Sequence, residues 1–225
     1  MQNSPVAFPD NSLDWRFLLP ITAASKILIV GHECGHIQQY FMKLGFSDVY
    51  YCTDKPSQVT NSSNNKTQQN IIAYSDLEMR SELFSFFDAV LFPHGFFKAE
   101  LSSSEAESYS YIKKFVRSGG ILFIGFTNGF FSKKDKFYYS YLWKIKKALK
   151  KSGYTLTGAY GATPDQFSPE YVFPLTPQAI GFIVRHRYVY KVSSMLLRLL
   201  ASPFAARLLV YLFPAYFVTA TADAM

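Results

Sequence analysis

Apolar runs recur along this chain, and segments of polar or helical character separate them. The clearest runs are residues 26–30 (KILIV), 87–92 (FDAVLF) and 121–126 (ILFIGF), and each is followed within a few residues by glycine. Strands of a parallel sheet have continuous apolar runs of this kind because helices bury both faces of the sheet. The alternation therefore predicts one α/β domain with a mainly parallel, twisted sheet. The length of 225 residues and the 49% share of hydrophobic residues suit one domain with a full core.

The pattern of residues predicts seven strands and several helices between them. The predicted strands are 26–30, 48–54, 71–77, 87–92, 121–126, 154–161 and 214–222. The predicted helices are 37–45, 78–87, 104–117 and 136–153. Residues 161–190 interrupt the alternation, since they are rich in proline and aromatic residues, and we expect them to cross the carboxyl edge of the sheet. Residues 191–213 are expected to form one or two helices around Pro203.

The turn after the first strand has two interpretations. Residues 32–36 read His-Glu-Cys-Gly-His, which matches the H-E-x-x-H pattern of zinc proteases. Such a zinc site needs both histidines on one continuous helix and a further ligand downstream. Here Gly31 and Gly35 flank and interrupt the pattern, and His94 is far along the chain. A metal-dependent hydrolase, or a cluster of His32, His36 and His94, is therefore the weaker interpretation, and we expect no metal.

A nucleoside site is the stronger interpretation of the same turn. Backbone amides at a helix N-terminus bind anions and polar ligand tails. Gly31 allows a tight turn, and Gly35 allows close approach of a ligand to the backbone. Asp54, nineteen residues after Gly35, ends the next predicted strand. A carboxylate at that place can accept hydrogen bonds from both hydroxyls of a ribose.

The order of these segments resembles that of class I S-adenosylmethionine-dependent methyltransferases, a Rossmann-like family. ILIVGHECGH matches the glycine-rich first motif, VYYCTD the second strand, and YSDL the pair that meets the adenine. FDAVLFPHG corresponds to the fourth strand with its substrate-facing loop, and VRSGGILFIG to the turn and fifth strand. PAYFVTATA corresponds to the last, reversed strand of the family. The resemblance covers roughly residues 25–160 well.

The resemblance implies a division of the chain and a set of cofactor-binding residues. The implied parts are an N-terminal lead-in (1–24), a cofactor-binding core (25–160), a substrate cap (161–213), and a last strand and tail (214–225). The implied cofactor is S-adenosylmethionine. The residues implied to bind it are Gly31, His32, Glu33, Gly35, Asp54, Asp76, Leu77 and Pro93.

Two positions depart from the family's first motif. Ile29 stands where the family has an acidic residue, and Glu33 stands where it has its middle glycine. Glu33 could replace the missing carboxylate, or it could obstruct the methionine part of the cofactor. A carboxylate in this turn would repel the pyrophosphate of a dinucleotide, but it would not repel a cationic sulfonium.

The acceptor side of the site is expected around the end of the fourth predicted strand. His94 lies there, and a histidine with a pKa near working pH can remove a proton from the acceptor. A turn histidine that bonds only to backbone is the alternative. Tyr160, Tyr171 and Arg185 lie in or beside the predicted cap and could bind substrate. For each of them taken alone, a surface or packing role is the stronger interpretation.

Charge and composition bear on the partners. The net charge of +7 admits an anionic partner, but the lysines of residues 144–151 lie opposite apolar positions and suit a solvated helix face. We therefore expect no nucleic acid, and a hydrophobic or lipid-linked small molecule as acceptor. Peripheral membrane contact and a homodimer are further partner hypotheses. The chain lacks a recognisable signal peptide and has two cysteines, which favours the cytoplasm.

Two functions of different classes follow from these observations. The first is methyl transfer from S-adenosylmethionine to an oxygen or nitrogen of a hydrophobic small molecule in a biosynthetic pathway. The second is a protein that keeps the fold but has lost catalysis, and works as a binding or scaffold partner at a membrane surface. The altered first motif motivates the second.

Overall fold

The structure is a computed structural model. It describes residues 15–31, 34–54, 70–77, 79–95, 105–130, 139–167, 169–188 and 208–223. His32 and Glu33, both in the predicted cofactor turn, lie outside the described residues, as does most of the segment predicted to be helical around Pro203.

Nine strands lie within the described residues and form one sheet. They are β1 (Ile27–Val30), β2 (Val49–Thr53), β3 (Ile71–Ala73), β4 (Phe87–Phe92), β5 (Val116–Asn128), β6 (Tyr139–Ser140), β7 (Tyr154–Thr163), β8 (Tyr171–Pro174) and β9 (Ala215–Ala222).

Five α-helices accompany the sheet in the same residues. They are α1 (Gly35–Lys43), α2 (Tyr74–Leu77), α3 (Glu105–Lys113), α4 (Leu142–Lys151) and α5 (Pro177–Tyr188), with a short 3-10 helix at Ser81–Leu83. The longest of these, α5, has 12 residues, and no helix in the described part of the chain has both the length and the apolar character to cross a bilayer.

The strand order is β3-β2-β1-β4-β5-β9-β7-β8, and β6 pairs with β5. The first five strands pair in parallel, whereas β9 is antiparallel to both of its neighbours, β5 and β7. A mainly parallel sheet with a reversed C-terminal strand was the fold predicted from the sequence, and it is confirmed. The additional strands β6 and β8 were not predicted; β8 extends the sheet by antiparallel pairing with β7.

Apolar side chains cover both faces of the sheet. Alternate residues of a strand point to opposite faces, and the residues of β1 divide accordingly: Leu28 and Val30 belong to one buried cluster, and Ile27 and Ile29 to the other. Helices α3 and α4 contribute to the first cluster. Helix α1 and the N-terminal Trp15 contribute to the second, where Trp15 stacks on Phe123 of β5 with 4.5 Å between ring centroids.

Two predicted elements were wrong. The third strand ends at Ala73 rather than at residue 77, so Asp76 and Leu77 lie in the helical turn α2. No helix occupies 78–87 in its described positions; a 3-10 turn is followed by β4. Phe87 is fully buried there and packs edge-on against Tyr50, so tertiary packing overrides the local helix preference.

Helix α3 ends four residues earlier than predicted, and its expected glycine turn lies inside β5. The pairing of β4 with β5 shifts register between Phe87 and Ala89, and the extra residues of β5 around Gly119 form a bulge there. Gly119 has a φ of +71°, which suits glycine. Helix α5 was not predicted, because residues 161–190 were expected to be irregular.

Candidate active site

The carboxyl ends of the parallel strands define where this fold can hold a ligand. From β1 the chain moves to β2 on one side, and it later returns to place β4 on the other side of β1. This change of direction is a topological switch point, where open α/β sheets bind ligands. Ile29 pairs with Leu91, so Gly31 and Pro93 follow at nearly the same level on neighbouring strands.

Gly31 makes the tight turn that follows β1. Its φ is +148°, a region that residues with a Cβ rarely adopt, and its amide donates to the Cys52 carbonyl oxygen at 3.2 Å. A Cβ at this position would lie 3.0 Å from the Cys34 sulfur. The turn therefore requires glycine at position 31.

Helix α1 begins directly after this turn, at Gly35. No acidic residue lies in its first turn, so no carboxylate from the helix itself competes there for the N-terminal amides. The amide of Cys34 donates to the hydroxyl of Tyr51 at 3.2 Å. Burial raises the pKa of Tyr51 to about 12, so its hydroxyl stays neutral and anchors the turn to β2.

Asp54 follows β2 at the same edge. Val30 pairs with Cys52, so Gly31 lies at the level of Thr53. Asp54 is the next residue of the chain after that level. The Thr53 hydroxyl donates to Asp54 Oδ1 at 3.3 Å, a long contact that helps to orient the carboxylate. Asp54 is therefore a half-buried carboxylate at the end of the strand next to the glycine turn, and its binding of a ribose stays a prediction.

Asp76 and Leu77 reach the same edge by another route. Thr53 pairs with Ala73, so α2 begins beside Asp54. Leu77 is fully buried and belongs to the core, whereas Asp76 is half-buried and accepts a hydrogen bond from the Ser75 hydroxyl at 2.9 Å. Leu77 therefore packs in the core beneath the strand ends, and Asp76 is the member of the pair that solvent can reach.

His94 follows β4 with its imidazole enclosed by other rings. Its centroid lies 4.6 Å from the ring of Phe167 and 6.4 Å from that of His36. Burial, with a smaller contribution from His36, lowers the pKa of His94 to about 4; an interaction with the Pro93 backbone acts weakly in the other direction. The imidazole is therefore neutral at pH 7, and one of its two nitrogens can accept a hydrogen bond. This pKa lies below the value near working pH that was expected for a catalytic base.

The three residues predicted for substrate binding lie on the other side of the sheet's centre. Tyr160 is inside β7, half-buried against the cluster that contains Trp15. Tyr171 begins β8 at the far edge and is 49% exposed, and Arg185 is in α5. Strands β5 and β9 separate β7 from β4. Their role in substrate binding stays a prediction.

Residues that the sequence did not single out complete this edge. Gln166 is fully buried after β7, and its Oε1 accepts a hydrogen bond from the Thr127 hydroxyl at 2.8 Å. Phe167, the next residue, places its ring against His94, and its amide donates to Asp165 Oδ1 at 2.8 Å. The Pro164-Asp165 turn directly after a strand was the one local signal that this loop is ordered.

Among the described residues, no group of three or more His, Cys, Asp or Glu side chains is arranged to hold a metal ion. His36 and His94 lie close together, but His32 is outside the described part of the chain. Two of the three histidines of the proposed cluster are thus neighbours, and the position of the third is not described.

Comparison of the structure with solved structures finds methyltransferases. An S-adenosylmethionine-dependent methyltransferase from Archaeoglobus fulgidus aligns with a TM-score of 0.56 at 13% identity, covering 92% of this chain and 91% of that one. One from Mesorhizobium loti aligns with a TM-score of 0.54 at 13% identity, covering 92% and 95% respectively. No protein-family model and no curated protein matches the sequence.

The fold is therefore that of the class I, Rossmann-like methyltransferases, and the resemblance seen in the sequence is confirmed. The agreement extends over nearly the whole length of each compared protein. At 13% identity it defines the architecture, and the chemistry has to be argued from the residues of this chain.

Proposed function

We propose that this protein is an S-adenosylmethionine-dependent methyltransferase that acts on an oxygen or nitrogen of a hydrophobic small molecule. The observation that carries the proposal is the glycine turn of Gly31 at the topological switch point, with Asp54 on the neighbouring strand. On a methyltransferase fold, that turn and that carboxylate are the parts that hold an adenosine.

The described residues fit the cofactor in two respects. The turn of Gly31 leads directly into α1, and backbone amides at a helix N-terminus can bind polar groups of a ligand. Asp54 would accept hydrogen bonds from the ribose hydroxyls, and Asp76, in the helix that begins beside Asp54, would meet the adenine. When bound, S-adenosylmethionine supplies an electrophilic methyl group on a sulfonium.

The chain's own residues would then position the acceptor and accept its proton. His94 lies across β1 from Asp54, on the other side of the glycine turn. Its neutral imidazole can accept the proton that the acceptor loses as the methyl group is transferred. Positioning of the acceptor in line with the methyl group supplies much of the rate enhancement in such a reaction.

Titration with S-adenosylhomocysteine by calorimetry tests the proposal. Asp54→Asn keeps the size of the side chain but removes the charge, and we expect it to weaken binding at least tenfold, a loss of about 1.4 kcal/mol. Asp48→Asn is the matched control, because Asp48 lies just before the amino end of β2, whereas Asp54 lies just after its carboxyl end. Absence of both heat and a thermal shift at millimolar ligand contradicts the proposal.

A second candidate is a methyltransferase-fold protein without catalysis that works as a binding or scaffold partner. The observation that favours it is Ile29, which is fully buried in β1 at the position where the family carries an acidic residue. Native mass spectrometry of the purified protein separates the two candidates. A retained nucleoside supports the enzyme, whereas binding to liposomes or a partner without any nucleoside supports the scaffold.

The proposal includes a cytoplasmic, biosynthetic setting and an acceptor that is hydrophobic or lipid-linked. The aromatic content of 18% supports an apolar acceptor, because aromatic side chains can line a pocket as well as fill a core. A peripheral membrane contact and a homodimer are compatible with it. Nucleic acid is not part of the proposal.

A further inference from the structure

Two buried polar atoms at the carboxyl edge have no hydrogen-bond partner among the described residues: Nδ1 of His94 and Nε2 of Gln166. Gln166 is 0% exposed, yet only the other end of its amide is satisfied, by Thr127. A buried polar atom without a partner costs about 1–3 kcal/mol of stability. A bound ligand or an ordered water can satisfy such an atom.

Both atoms belong to the same small region. Phe92 of β4 pairs with Ile124 of β5, so His94 follows at the level of the end of β5, where Thr127 holds Gln166. Neighbouring strands lie about 4.8 Å apart. The ring of Phe167, the residue after Gln166, contacts the imidazole directly. The loop after β7 therefore brings Gln166 to Thr127 at the end of β5 and the adjacent Phe167 against His94.

The chemistry of the two atoms is complementary. A glutamine Nε2 only donates hydrogen bonds, whereas a neutral imidazole has one nitrogen that accepts. The buried imidazole is neutral at pH 7 and carries one proton. With that proton on Nε2, Nδ1 is the nitrogen that accepts a hydrogen bond. A ligand group that satisfies both atoms has to donate one hydrogen bond and accept another at a single site.

We propose that His94 and Gln166 together bind a hydroxyl group on a flat aromatic ring, with the ring packed against Phe167, and that the methyl acceptor is this oxygen. The inference rests on the proposed function and narrows its substrate class to phenol-type hydroxyls. The hydroxyl donates to Nδ1 of His94 and accepts from Nε2 of Gln166.

The count of lone pairs explains why oxygen is favoured over nitrogen. A hydroxyl oxygen has two lone pairs, so one can accept from Gln166 while the other attacks the methyl carbon. An amine nitrogen has only one, which either attacks or accepts. In the transfer a C–O bond forms, the C–S bond breaks with its electron pair remaining on sulfur, and the hydroxyl proton passes to Nδ1 of His94.

Three probes of equal shape test the subsite: 2-naphthol, 2-naphthylamine and 2-methoxynaphthalene, each added at millimolar concentration to protein saturated with S-adenosylhomocysteine. Saturation-transfer NMR and calorimetry report binding. We expect 2-naphthol to bind at least tenfold more tightly than the other two. Gln166→Met has nearly the same shape, and we expect it to weaken 2-naphthol about tenfold and to leave S-adenosylhomocysteine affinity unchanged.

A second variant covers the case in which Gln166→Met does not fold. Thr127→Val keeps Gln166 in place but removes the hydroxyl that orients its amide, and we expect it to reduce the preference for 2-naphthol over 2-naphthylamine. The proposal is overturned if 2-naphthol does not bind, if all three probes bind equally, or if 2-naphthylamine binds best. Since S-adenosylhomocysteine is titrated separately, its failure to bind would instead contradict the proposed methyltransferase function.

Discussion

Gly31 shows how a single residue type can decide the geometry of a site. Its positive φ and the Cys34 sulfur 3.0 Å from the place of a Cβ leave no other residue that fits without strain. The sequence predicted a tight turn here from the glycine alone, and the turn is present. Contact of this turn with a cofactor stays a prediction that mutation can test.

We expect Gly31→Ala to destabilise the protein by about 1–3 kcal/mol, the usual cost of a residue held in a disfavoured backbone conformation. The same change should lower affinity for S-adenosylhomocysteine at least tenfold, because the new methyl group occupies the space at the turn. Gly45→Ala is the control: its φ is +92°, but nothing lies within 4 Å of its Cβ position, and it is at the other end of α1.

Chemical denaturation and calorimetry measure the two effects separately. Both variants should lose stability, and only Gly31→Ala should lose ligand affinity. Equal affinity in the two variants would mean that the turn at Gly31 does not hold the ligand.

His94 gives the stability a definite pH dependence. Its pKa falls from 6.5 in the unfolded chain to about 4 in the folded protein, so between these values the unfolded chain binds more protons. The free energy of unfolding therefore rises with pH from about 4 to about 6.5, and the His94 contribution amounts to about 2–3 kcal/mol over that window. Below pH 4 both states are protonated and the change ends.

Urea unfolding of the native protein and His94→Asn at pH 4.5 and pH 7.5 checks this. The difference in stability between the two proteins should shift by about 2–3 kcal/mol in favour of the native protein as pH rises. A difference that is the same at both pH values would show that the imidazole is protonated as easily in the folded protein as in the unfolded chain.

Elements formed by continuous apolar runs were predictable from sequence, and elements that depend on distant contacts were not. Strands β1, β4 and β9 follow from their own residues, since 27–30, 87–92 and 215–222 are almost wholly buried. The end of β3 and the strand start at Phe87 depend on neighbours that local pattern does not reveal.

Helix α5 was missed although its start carries a recognisable signal. Pro177 occupies the first helical position, and the Thr176 hydroxyl accepts from the Ala179 amide at 3.3 Å, a capping arrangement. Pro164, Pro169 and Pro174, just before this helix, indicated irregular structure and led to the missed helix.

The candidate site was predictable to the same extent. Gly31, Asp54 and His94 follow strands whose ends meet at one edge, so strand prediction alone placed them together. Gln166 could not be found in that way. Gln166 reaches the end of β5 only because β9 lies between β5 and β7 in the sheet. That arrangement depends on pairing of β5 with β9, whose residues are about 95 positions apart in the sequence.

Asp88 joins two elements at the other end of the sheet. Its Oδ2 accepts from the Lys26 amide at 2.7 Å, and its Oδ1 lies 2.7 Å from Nε of Arg117 in the β5 bulge. Asp88 is 17% exposed, whereas Arg117 is 60% exposed. The carboxylate thus fixes both the start of β1 and the bulge where β4 and β5 change register.

We expect Asp88→Ala to destabilise the protein by about 1–3 kcal/mol, because the half-buried Lys26 amide and the Arg117 guanidinium lose their partner together. Arg117→Ala removes only the exposed half of the pair and should cost about 1 kcal/mol or less. Urea unfolding measures both, and Asp88→Asn should recover most of the loss because it can still accept from Lys26. Equal losses for Asp88→Ala and Arg117→Ala would mean that the bond to Lys26 contributes nothing.

The whole molecule is less uniformly stabilised than its single sheet indicates. Two large clusters cover the faces of β1, β4 and β5, but β8 and α5 share a small cluster of their own, formed by Phe173, Ile180 and Ile183. Edge regions with a small core open locally at lower free energy than the sheet's centre.

Hydrogen exchange followed by mass spectrometry should therefore show faster exchange in β8 and α5 than in β1, β4 and β5. Phe173→Ala should increase exchange in that region only, whereas Phe123→Ala, in the cluster around Trp15, should lower global stability by about 3–5 kcal/mol. Uniform acceleration across the sheet in Phe173→Ala would show instead that the edge unfolds together with the centre.

The position of β9 has a consequence for how the chain is made. This strand pairs with β5 on one side and β7 on the other, yet the ribosome synthesises it after both. Until it arrives, the nascent polypeptide holds two half-sheets whose facing edges expose unsatisfied amides and carbonyls, a template for aggregation. The need for chaperones should therefore fall once residues 215–222 have left the ribosome and β9 pairs with both β5 and β7.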